Sequence, residues 1–277
     1  METKKLYYDD AYLTSFKEEI RECIEKGDGT YEIVMDSTAF FPEEGGQSPD
    51  RGTINGVPVI DVQIRDDIIY HITNEAVPAG TEAVCRIDWD HRFSNMQQHS
   101  GEHLFSGIAH NDYGCENVGF HLSDNEVTLD LNKPLKEEEI LDIERKVNEA
   151  IFKNIESIAL YPTKQEACSM EYRSKKEIEG QLRLIVYPGY DTCACCAPHV
   201  ARTGEIGILK VVSFMNLKGG VRINILCGRR ALEDYEIKRK AIDAAGKLLS
   251  ANQNNLEETT AKLLQEKSEL IYELVGV

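Results

Sequence analysis

The sequence predicts an α+β protein built from three successive regions. Residues 1–88 contain short apolar runs separated by turn dipeptides, which is typical of a small antiparallel β-barrel. Residues 89–227 alternate helix-length and strand-length patterns, as an α+β domain does. Residues 228–277 carry helical patterns alone. We therefore expect domain boundaries near residues 88 and 227.

The first region begins with a predicted helix at about Leu13–Glu25, which ends at Gly27-Asp28-Gly29. Strand-length runs follow, and Asn55-Gly56 between two of them is a strong hairpin signal. Asp66-Asp67 and Pro78-Ala79-Gly80 mark further turns. The predicted strands are Tyr31–Met35, Gly52–Ile54, Val57–Ile64, Ile68–Ile72 and Glu82–Ile87.

The second region contains two predicted helices. His91–Ala109 has apolar residues at helical spacing, and Lys136–Asn154 is amphipathic and starts after Pro134. Four strand-length runs complete the alternating pattern. They are Val127–Leu131, Leu182–Tyr187, Gly207–Ser213 and Val221–Cys227.

The third region has leucines at positions 249, 256, 263 and 270, a seven-residue spacing that favours a coiled coil. However, the Asn-rich segment Ser250–Asn255 interrupts the pattern, and Asn255 is a good helix cap. We therefore prefer two helices forming a hairpin to one continuous rod. This tail could also join two copies of the chain as a homodimer.

The composition excludes several classes of protein. The chain has 277 residues, 31 basic and 48 acidic side chains, and a formal net charge of −17, which argues against a general nucleic-acid footprint. No apolar run reaches the length of about 18 residues that a membrane span needs. The N-terminus shows no secretory signal, so we expect a cytoplasmic location and eight reduced cysteines.

Two clusters carry metal-binding chemistry. His99 and His103 are four residues apart on a predicted helix, which places both imidazoles on one face. A second cluster, Cys193-Ala194-Cys195-Cys196-Ala197-Pro198-His199, supplies thiols and an imidazole. His99, His103, Cys195 and His199 would complete a tetrahedral zinc site. Cys193 and Cys196 are competing ligands that spacing does not eliminate, and two partly exposed helix histidines remain the alternative.

Two other segments bear on the site. Glu102 lies between the histidines and could act as a base, although a supporting or solvated carboxylate is the preferred interpretation. Gly45-Gly46 permits a positive φ and close approach of another group, as does any tight turn. No Gly-Lys-Ser/Thr follows, so this segment is not a phosphate loop.

Together these motifs resemble the editing domain of alanyl-tRNA synthetase and the free-standing AlaX-type proteins. The histidine motif is matched by His99, His103, Leu104 and Phe105, and the cysteine motif by Cys195, His199, Val200 and Thr203–Gly207. The glycine-rich barrel segment is matched by Phe40–Gln47 and Asp50–Gly52. Cys196-Ala197-Pro198 departs from the family's Gly-Gly-Thr and makes the loop stiffer.

The resemblance implies hydrolysis of the ester bond in mischarged tRNA(Ala), chiefly seryl-tRNA(Ala), with glycyl-tRNA(Ala) as a further substrate. An alanine pocket cannot reject these amino acids strongly enough, so a second site removes the errors. The resemblance gives Thr38 the role of reading the serine hydroxyl, and a gapless alignment makes Asn117 a further candidate. Gly45, Gly46 and Gln47 are expected to contact substrate.

One region of the chain is basic although the net charge of the whole chain is negative. Residues 1–88 carry a net charge of −11, whereas residues 200–240 carry +5. Arg202, Lys210 and Arg222 belong to this basic stretch and are the predicted tRNA contacts, although solvated surface charge would look the same. Contacts of this kind would be local, modest and salt-sensitive.

Two rival functions stay open. His99-x-x-Glu102-His103 also fits an inverted zincin pattern of metalloproteases, in which Glu102 would be the general base. That class expects a downstream glutamate ligand, whereas here Cys195 and His199 occupy that role. A non-catalytic tRNA-binding zinc protein is the other alternative.

Overall fold

The structure is a computed structural model that describes residues 2–124, 126–174 and 181–276. It has a mixed α+β fold, as predicted. Residues Met1–Gly228 form one compact unit and Arg229–Val277 a second. The predicted boundary at residue 88 falls inside the first unit, and it stays a prediction. No helix among the described residues combines the length and the apolar character that crossing a membrane requires.

The chain starts with a two-residue strand and a single helical turn, and six longer strands then close into an antiparallel barrel in the order β2-β3-β7-β6-β5-β8. Its interior is mainly apolar, with Ile20, Ile33, Phe40 and Ile54 fully buried. The elements are β1 (Lys4–Lys5), α1 (Leu6–Asp9), β2 (Ser15–Glu25), β3 (Tyr31–Met35), β4 (Ser37–Thr38), β5 (Gly52–Ile54), β6 (Val57–Arg65), β7 (Ile68–Thr73) and β8 (Glu82–Ile87).

The predicted helix at Leu13–Glu25 is wrong, because residues Ser15–Glu25 form strand β2. Lys, Glu and Arg side chains give this segment a high helix propensity. Pairing with β3 on one side and β8 on the other outweighs that preference, since both ladders are needed to close the barrel. The five strands predicted in this region are confirmed, with ends that agree to within one residue.

The rest of the first unit packs two long helices against antiparallel sheets. A four-stranded sheet has the order β14-β15-β10-β9 and a three-stranded sheet the order β11-β12-β13. The elements are α2 (Trp89–Tyr113), β9 (Asn117–Leu122), β10 (Val127–Leu131), α3 (Glu137–Lys153), β11 (Ile158–Leu160), α4 (Lys164–Ala167), β12 (Leu184–Tyr187), β13 (Asp191–Ala194), a 3₁₀ turn (Thr203–Ile206), β14 (Leu209–Leu217) and β15 (Gly220–Cys227).

Helix α2 has clear end signals. The Asp88 side chain accepts a hydrogen bond from His91 N at 3.2 Å, and Gly114 ends the helix in a left-handed conformation with φ +60°. From Asn95 to Ala109 every residue of α2 is buried. The predicted helices His91–Ala109 and Lys136–Asn154 are therefore confirmed, the first of them longer at both ends.

A buried ion pair joins α2 to the barrel. Arg92 and Asp50 are both fully buried, and Arg92 Nε lies 2.9 Å from each oxygen of the Asp50 carboxylate. The same guanidinium donates hydrogen bonds to the carbonyl oxygens of Ala11 and Ala39, and Phe41 N donates to Asp50. Each charged group is thus saturated with partners, which is what makes burial of the pair tolerable.

Helix α5 (Gly228–Leu249) begins at the last residue of the first unit, and its remainder forms the second unit together with α6 (Leu256–Val275) and the intervening Ser250–Asn255. The helical character of the tail and the interruption at this Asn-rich segment agree with the prediction. Packing of the two helices as a hairpin stays a prediction.

Candidate metal centre

The candidate site lies where α2 meets the loop that follows β13. Helix α2 carries His99 and His103, whose rings are 5.4 Å apart, and the loop carries Cys195 and His199. The Cys195 sulfur lies 3.5 Å from His99 Nε2 and 3.3 Å from His199 Nε2. One potential ligand atom from each of the four residues lies within 4.8 Å of every other. The structure thus brings together the four residues that the sequence singled out.

Each histidine is fixed by a second hydrogen bond on its far nitrogen. His99 Nδ1 lies 2.8 Å from Gln47 Oε1, and His103 Nδ1 lies 3.0 Å from Asp191 Oδ2. His199 Nδ1 lies 3.1 Å from the Ser100 hydroxyl, with the Tyr187 hydroxyl at 3.4 Å. These contacts leave the three Nε2 atoms free to face one point, which is the arrangement that metal-binding histidines use.

Asp191 is held in turn by Arg173, whose guanidinium donates hydrogen bonds of 2.8 and 2.9 Å to the two carboxylate oxygens. The main chain of α2 approaches this loop closely, because a Cβ on Gly107 would lie 2.5 Å from Tyr190 O and 2.6 Å from the Asp191 side chain. The absence of a side chain at Gly107 therefore lets Asp191 reach His103. The sequence did not single out Asp191, although an acidic residue four positions before Cys195 was a usable signal.

The pKa of Cys195 is shifted in the opposite direction from those of Cys193 and Cys196. Burial opposes the Cys195 thiolate, but the imidazoles of His99 and His199 beside it hold the pKa of the thiol well below its ordinary value. Burial raises the pKa of Cys193, and burial, Cys195 and Glu44 raise that of Cys196. Cys195 is thus the cysteine of this cluster at which the environment favours a thiolate.

The competing cysteines lie elsewhere. Cys193 belongs to a second close group with His103 and Asp191, beside the first cluster. Cys196 lies against the barrel, where its sulfur is 3.4 Å from the position that a Cβ on Gly45 would occupy. Among the described residues, only Cys195 therefore joins the three histidines.

The imidazoles differ in their proton affinity. Burial disfavours a charge on His103, but hydrogen bonds to Asp191 and Cys195 outweigh it and raise the pKa to about 9. Burial lowers the pKa of His199 to about 3, and the neighbouring imidazoles of His103 and His99 add to this effect while Cys195 opposes it. His103 is the ring that a carboxylate supports most directly.

Glu102 and Asn117 contact each other beside the cluster. Glu102 is 1% exposed, and its Oε1 accepts hydrogen bonds from the Ser106 hydroxyl at 2.6 Å and from Asn117 Nδ2. Asn117 begins β9 and also donates to Ser106 at 2.9 Å. Both interpretations of Glu102, the supporting carboxylate and the base, stay predictions.

The glycine-rich segment reaches the cluster through Gln47, while Gly45 and Gly46 adopt φ values of +63° and +83°. A Cβ on Gly46 would lie 2.3 Å from Phe120 O, so only glycine fits there. Thr38 is fully buried in the barrel, where its hydroxyl lies 2.8 Å from His71 Nε2 and accepts a hydrogen bond from Phe40 N. None of the described contacts of Thr38 reaches the four-residue cluster.

The three predicted tRNA contacts are exposed, and each has a partner within the chain. Arg202 donates a hydrogen bond to Asn154 O, and Lys210 forms an ion pair with Glu144. Arg222 donates two hydrogen bonds of 2.7 Å to Asp130. Lys175 and Lys176, which extend the basic stretch upstream, lie outside the described residues.

The fold and the cluster define a class: an α+β protein in which a closed barrel and a helix–sheet layer together enclose a buried centre of three histidines and one cysteine. Two family models match the chain. Residues 2–91 match class II (A) tRNA synthetases, and residues 182–224 match the second additional domain of threonyl- and alanyl-tRNA synthetases.

Curated relatives agree with these matches. The chain is 30% identical over 277 residues to an alanine–tRNA ligase of Ignicoccus hospitalis and 31% identical over 283 residues to that of Halobacterium salinarum. It is 29% identical over 252 residues to the alanyl-tRNA editing protein Aarsd1 of Bos taurus. The alignments cover 95%, 96% and 87% of the chain, but 30%, 30% and 55% of these relatives. The resemblance to alanyl-tRNA editing proteins and to alanyl-tRNA synthetases is thereby confirmed.

Proposed function

We propose that this chain is a zinc-dependent aminoacyl-tRNA deacylase that hydrolyses the ester of mischarged tRNA(Ala) in trans. Its chief substrate is Ser-tRNA(Ala), and Gly-tRNA(Ala) is a second one. The observation that carries the proposal is the convergence of His99, His103, Cys195 and His199, with a supporting hydrogen bond on each imidazole. The relatives' names, an alanyl-tRNA editing protein and alanine–tRNA ligases, supply the substrate class.

The residues fit a zinc ion. With ordinary bond lengths, sulfur and nitrogen ligands of a tetrahedral zinc lie about 3.6 Å apart. The corresponding distances from Cys195 Sγ, 3.5 and 3.3 Å, are close to that value. Burial, the lowered pKa of Cys195 and the fixed imidazoles supply the remaining requirements. When bound, zinc would supply Lewis-acid activation or an anchor for the substrate.

The side chains around the cluster favour the deacylase over the metalloprotease, and each has a proposed role in the reaction. Cys195 and His199 complete the ligand set in place of the glutamate that an HxxEH metalloprotease would use, which favours the deacylase over the protease. Asn117 and Ser106 orient Glu102 beside the cluster, so that its carboxylate is available to hold a proton. Thr38 is the proposed reader of the serine hydroxyl, since a site that pairs with this hydroxyl rejects alanine by leaving its own polar groups unpaired.

The partner is tRNA(Ala), held by the basic stretch at residues 200–240. Arg202, Lys210 and Arg222 are exposed, so their charged groups can contact a phosphate. The ion pair of Arg222 with Asp130 is partly exposed, and such pairs contribute little to stability, so exchanging this carboxylate for a phosphate costs little. The proposal therefore requires tRNA affinity to fall as salt concentration rises.

Two further expectations accompany this proposal. All eight cysteines are free thiols, which fits a reducing cytoplasm. Leu263 and Leu270 on α6 are 49% and 58% exposed, which fits association of two tails into a homodimer.

The decisive experiment measures deacylation of Ser-, Gly- and Ala-tRNA(Ala) by the purified chain, with and without a chelator. We expect rapid hydrolysis of Ser-tRNA(Ala), little of Ala-tRNA(Ala), and loss of activity together with the metal. The variant His103→Ala should lose both zinc and activity. His110→Ala is the matched control, because His110 lies on the same helix outside the four-residue cluster and its side chain is 41% exposed.

Three outcomes would contradict the proposal. Unchanged metal content in His103→Ala removes that residue from the ligand set. Cleavage of peptides but not of Ser-tRNA(Ala) favours the metalloprotease. Retention of tRNA binding without deacylation by the zinc-loaded chain identifies a non-catalytic binding protein.

A further inference from the structure

The carboxamide oxygen of Gln47 is hydrogen-bonded, whereas its nitrogen has no hydrogen-bond partner among the described residues. The side chain is fully buried, and its Oε1 lies 2.8 Å from His99 Nδ1. Its Nε2 is buried and has no hydrogen-bond partner among the described residues. A buried donor left without a partner is costly, and such groups in native proteins call for a reason.

The orientation of the amide follows from the cluster. His99 turns Nε2 towards Cys195, so the ring proton that it donates is on Nδ1 whenever Nε2 binds a metal. Gln47 must then present its oxygen to His99, because an N–H group cannot accept that proton. Nε2 is consequently the end of the carboxamide that does not face His99, and it belongs to a residue in direct contact with a candidate metal ligand.

The backbone around Gln47 is held firmly. Leu122 N donates to Gly46 O at 2.7 Å, and Ser48 N donates to Leu122 O at 2.9 Å, so that the segment lies along strand β9. The Gly46 backbone packs directly against Phe120 O. Ser48 Oγ is also buried without a hydrogen-bond partner among the described residues. Two adjacent residues, Gln47 and Ser48, therefore each carry a buried polar atom without a partner among the described residues.

A rigid, buried N–H donor is suited to a developing negative charge. In ester hydrolysis, water adds to the carbonyl carbon, and the π electron pair moves onto the carbonyl oxygen. When this pair returns, the ester C–O bond breaks, and the proton lost by the water ends on the ribose oxygen that leaves. A donor already in place stabilises the intermediate oxyanion without rearrangement, and far more strongly than in water.

We propose that Gln47 is a catalytic residue whose Nε2 donates a hydrogen bond to the carbonyl oxygen of the scissile ester, with His99 fixing its orientation. This role rests on the proposed deacylase function, and it gives a reaction step to a residue that the sequence marks only as an expected substrate contact. The alternative is that Gln47 does no more than orient His99.

Gln47→Glu separates the two roles, because a carboxylate still accepts the His99 proton but offers no N–H. We expect kcat for Ser-tRNA(Ala) to fall by about 100-fold or more, the usual effect of removing one oxyanion donor. KM, zinc content and the Kd for zinc should stay at wild-type values, since carboxylate partners support metal-binding histidines well. Gln47→Met, which lacks both functions, should lower kcat and also weaken zinc binding.

The control is Gln165→Glu, which makes the same chemical change at an exposed position on α4 and should leave kcat unchanged. Wild-type kcat in Gln47→Glu would overturn the catalytic role and leave Gln47 as a support for His99. Loss of zinc from Gln47→Glu in step with kcat would overturn it as well. If the wild-type chain hydrolyses no aminoacyl-tRNA(Ala), the proposed function fails first, and the role of Gln47 fails with it.

Discussion

Asp191 connects His103 to Arg173 through a single carboxylate. Its Oδ2 lies 3.0 Å from His103 Nδ1 and 2.9 Å from the Arg173 guanidinium, and all three groups are buried or nearly so. Burial disfavours the Asp191 charge, but hydrogen bonds to His103 and Arg173 outweigh it and lower the pKa of the carboxyl. The negative charge on Asp191 therefore supports His103 as a metal ligand.

The first prediction concerns this support. Asp191→Asn should weaken zinc binding by roughly 10- to 100-fold. The reason is that His103 loses the negative charge that makes its Nε2 a good electron-pair donor to a metal. Competition with a chromogenic chelator measures the change. Asp130→Asn is the control, since Asp130 also accepts two hydrogen bonds from an arginine, Arg222, but on the surface. Equal zinc affinities in the two variants would disprove the role of Asp191.

The second prediction concerns Thr38. Thr38→Val should destabilise the chain by about 1 kcal/mol, because Phe40 N and His71 lose a buried partner. If Thr38 reads the serine hydroxyl, the same change brings the hydrolysis rates of Ser- and Ala-tRNA(Ala) closer together. Thr38→Ser keeps the hydroxyl, so it should keep both the stability and the ratio of the two hydrolysis rates. A wild-type ratio of rates in Thr38→Val would show that another residue reads the substrate.

The third prediction concerns the close approach of the glycine-rich segment to β9. Gly46 and Gly56 have nearly equal φ values, +83° and +85°, but a Cβ meets Phe120 O at 2.3 Å in the first and nothing within 4 Å in the second. Both alanine variants carry backbone strain of about 1–3 kcal/mol. Gly46→Ala should lose about 1–3 kcal/mol more through steric overlap, and should also weaken zinc binding by displacing Gln47. Chemical denaturation of the pair isolates the overlap, and equal stabilities would refute it.

The fourth prediction concerns pH. Burial lowers the pKa of His71 to about 4 from its ordinary value of 6.5, because the ring lies fully inside the barrel. Between these values the unfolded chain binds a proton at this position and the folded chain does not. The neutral, buried His71 therefore makes its full contribution to the free energy of unfolding above pH 6.5. About 3 kcal/mol of that free energy is lost as the pH falls to 4.

His71→Gln tests this dependence. Between pH 6.5 and 4 its free energy of unfolding should fall less steeply than that of the wild type. His121→Gln, at an exposed histidine, should follow the wild-type curve. Parallel curves for all three proteins would mean that His71 is not buried in its neutral form.

Much of this architecture could be predicted because its signals are local. Alternating apolar residues and turn dipeptides such as Asn55-Gly56 indicate the barrel strands, and the four-residue spacing of His99 and His103 places both rings on one helix face. The helix predicted at Leu13–Glu25 failed for the opposite reason, since only pairing with distant strands makes β2 extended. Strand β9 was missed because Asn117–Leu122 is short, contains Gly119 and buries few apolar side chains.

The supporting contacts of the centre could not be predicted in the same way. Gln47 meets His99 across 52 positions of the chain, and Asp191 meets His103 across 88. No periodicity encodes such pairs, because they depend on how the barrel and α2 pack. Asn117 and Glu102 were singled out separately from the sequence, and the hydrogen bond between them appears only in the fold.

The Arg92–Asp50 pair has a consequence for how this protein can be divided. Separating the barrel from α2 would strand a guanidinium and a carboxylate in apolar surroundings, and loss of one partner from a buried pair costs about 3–5 kcal/mol. Either half grafted alone onto a foreign scaffold should therefore be less stable than it is in the intact chain. The barrel and the histidine helix thus depend on each other for stability through this buried ion pair.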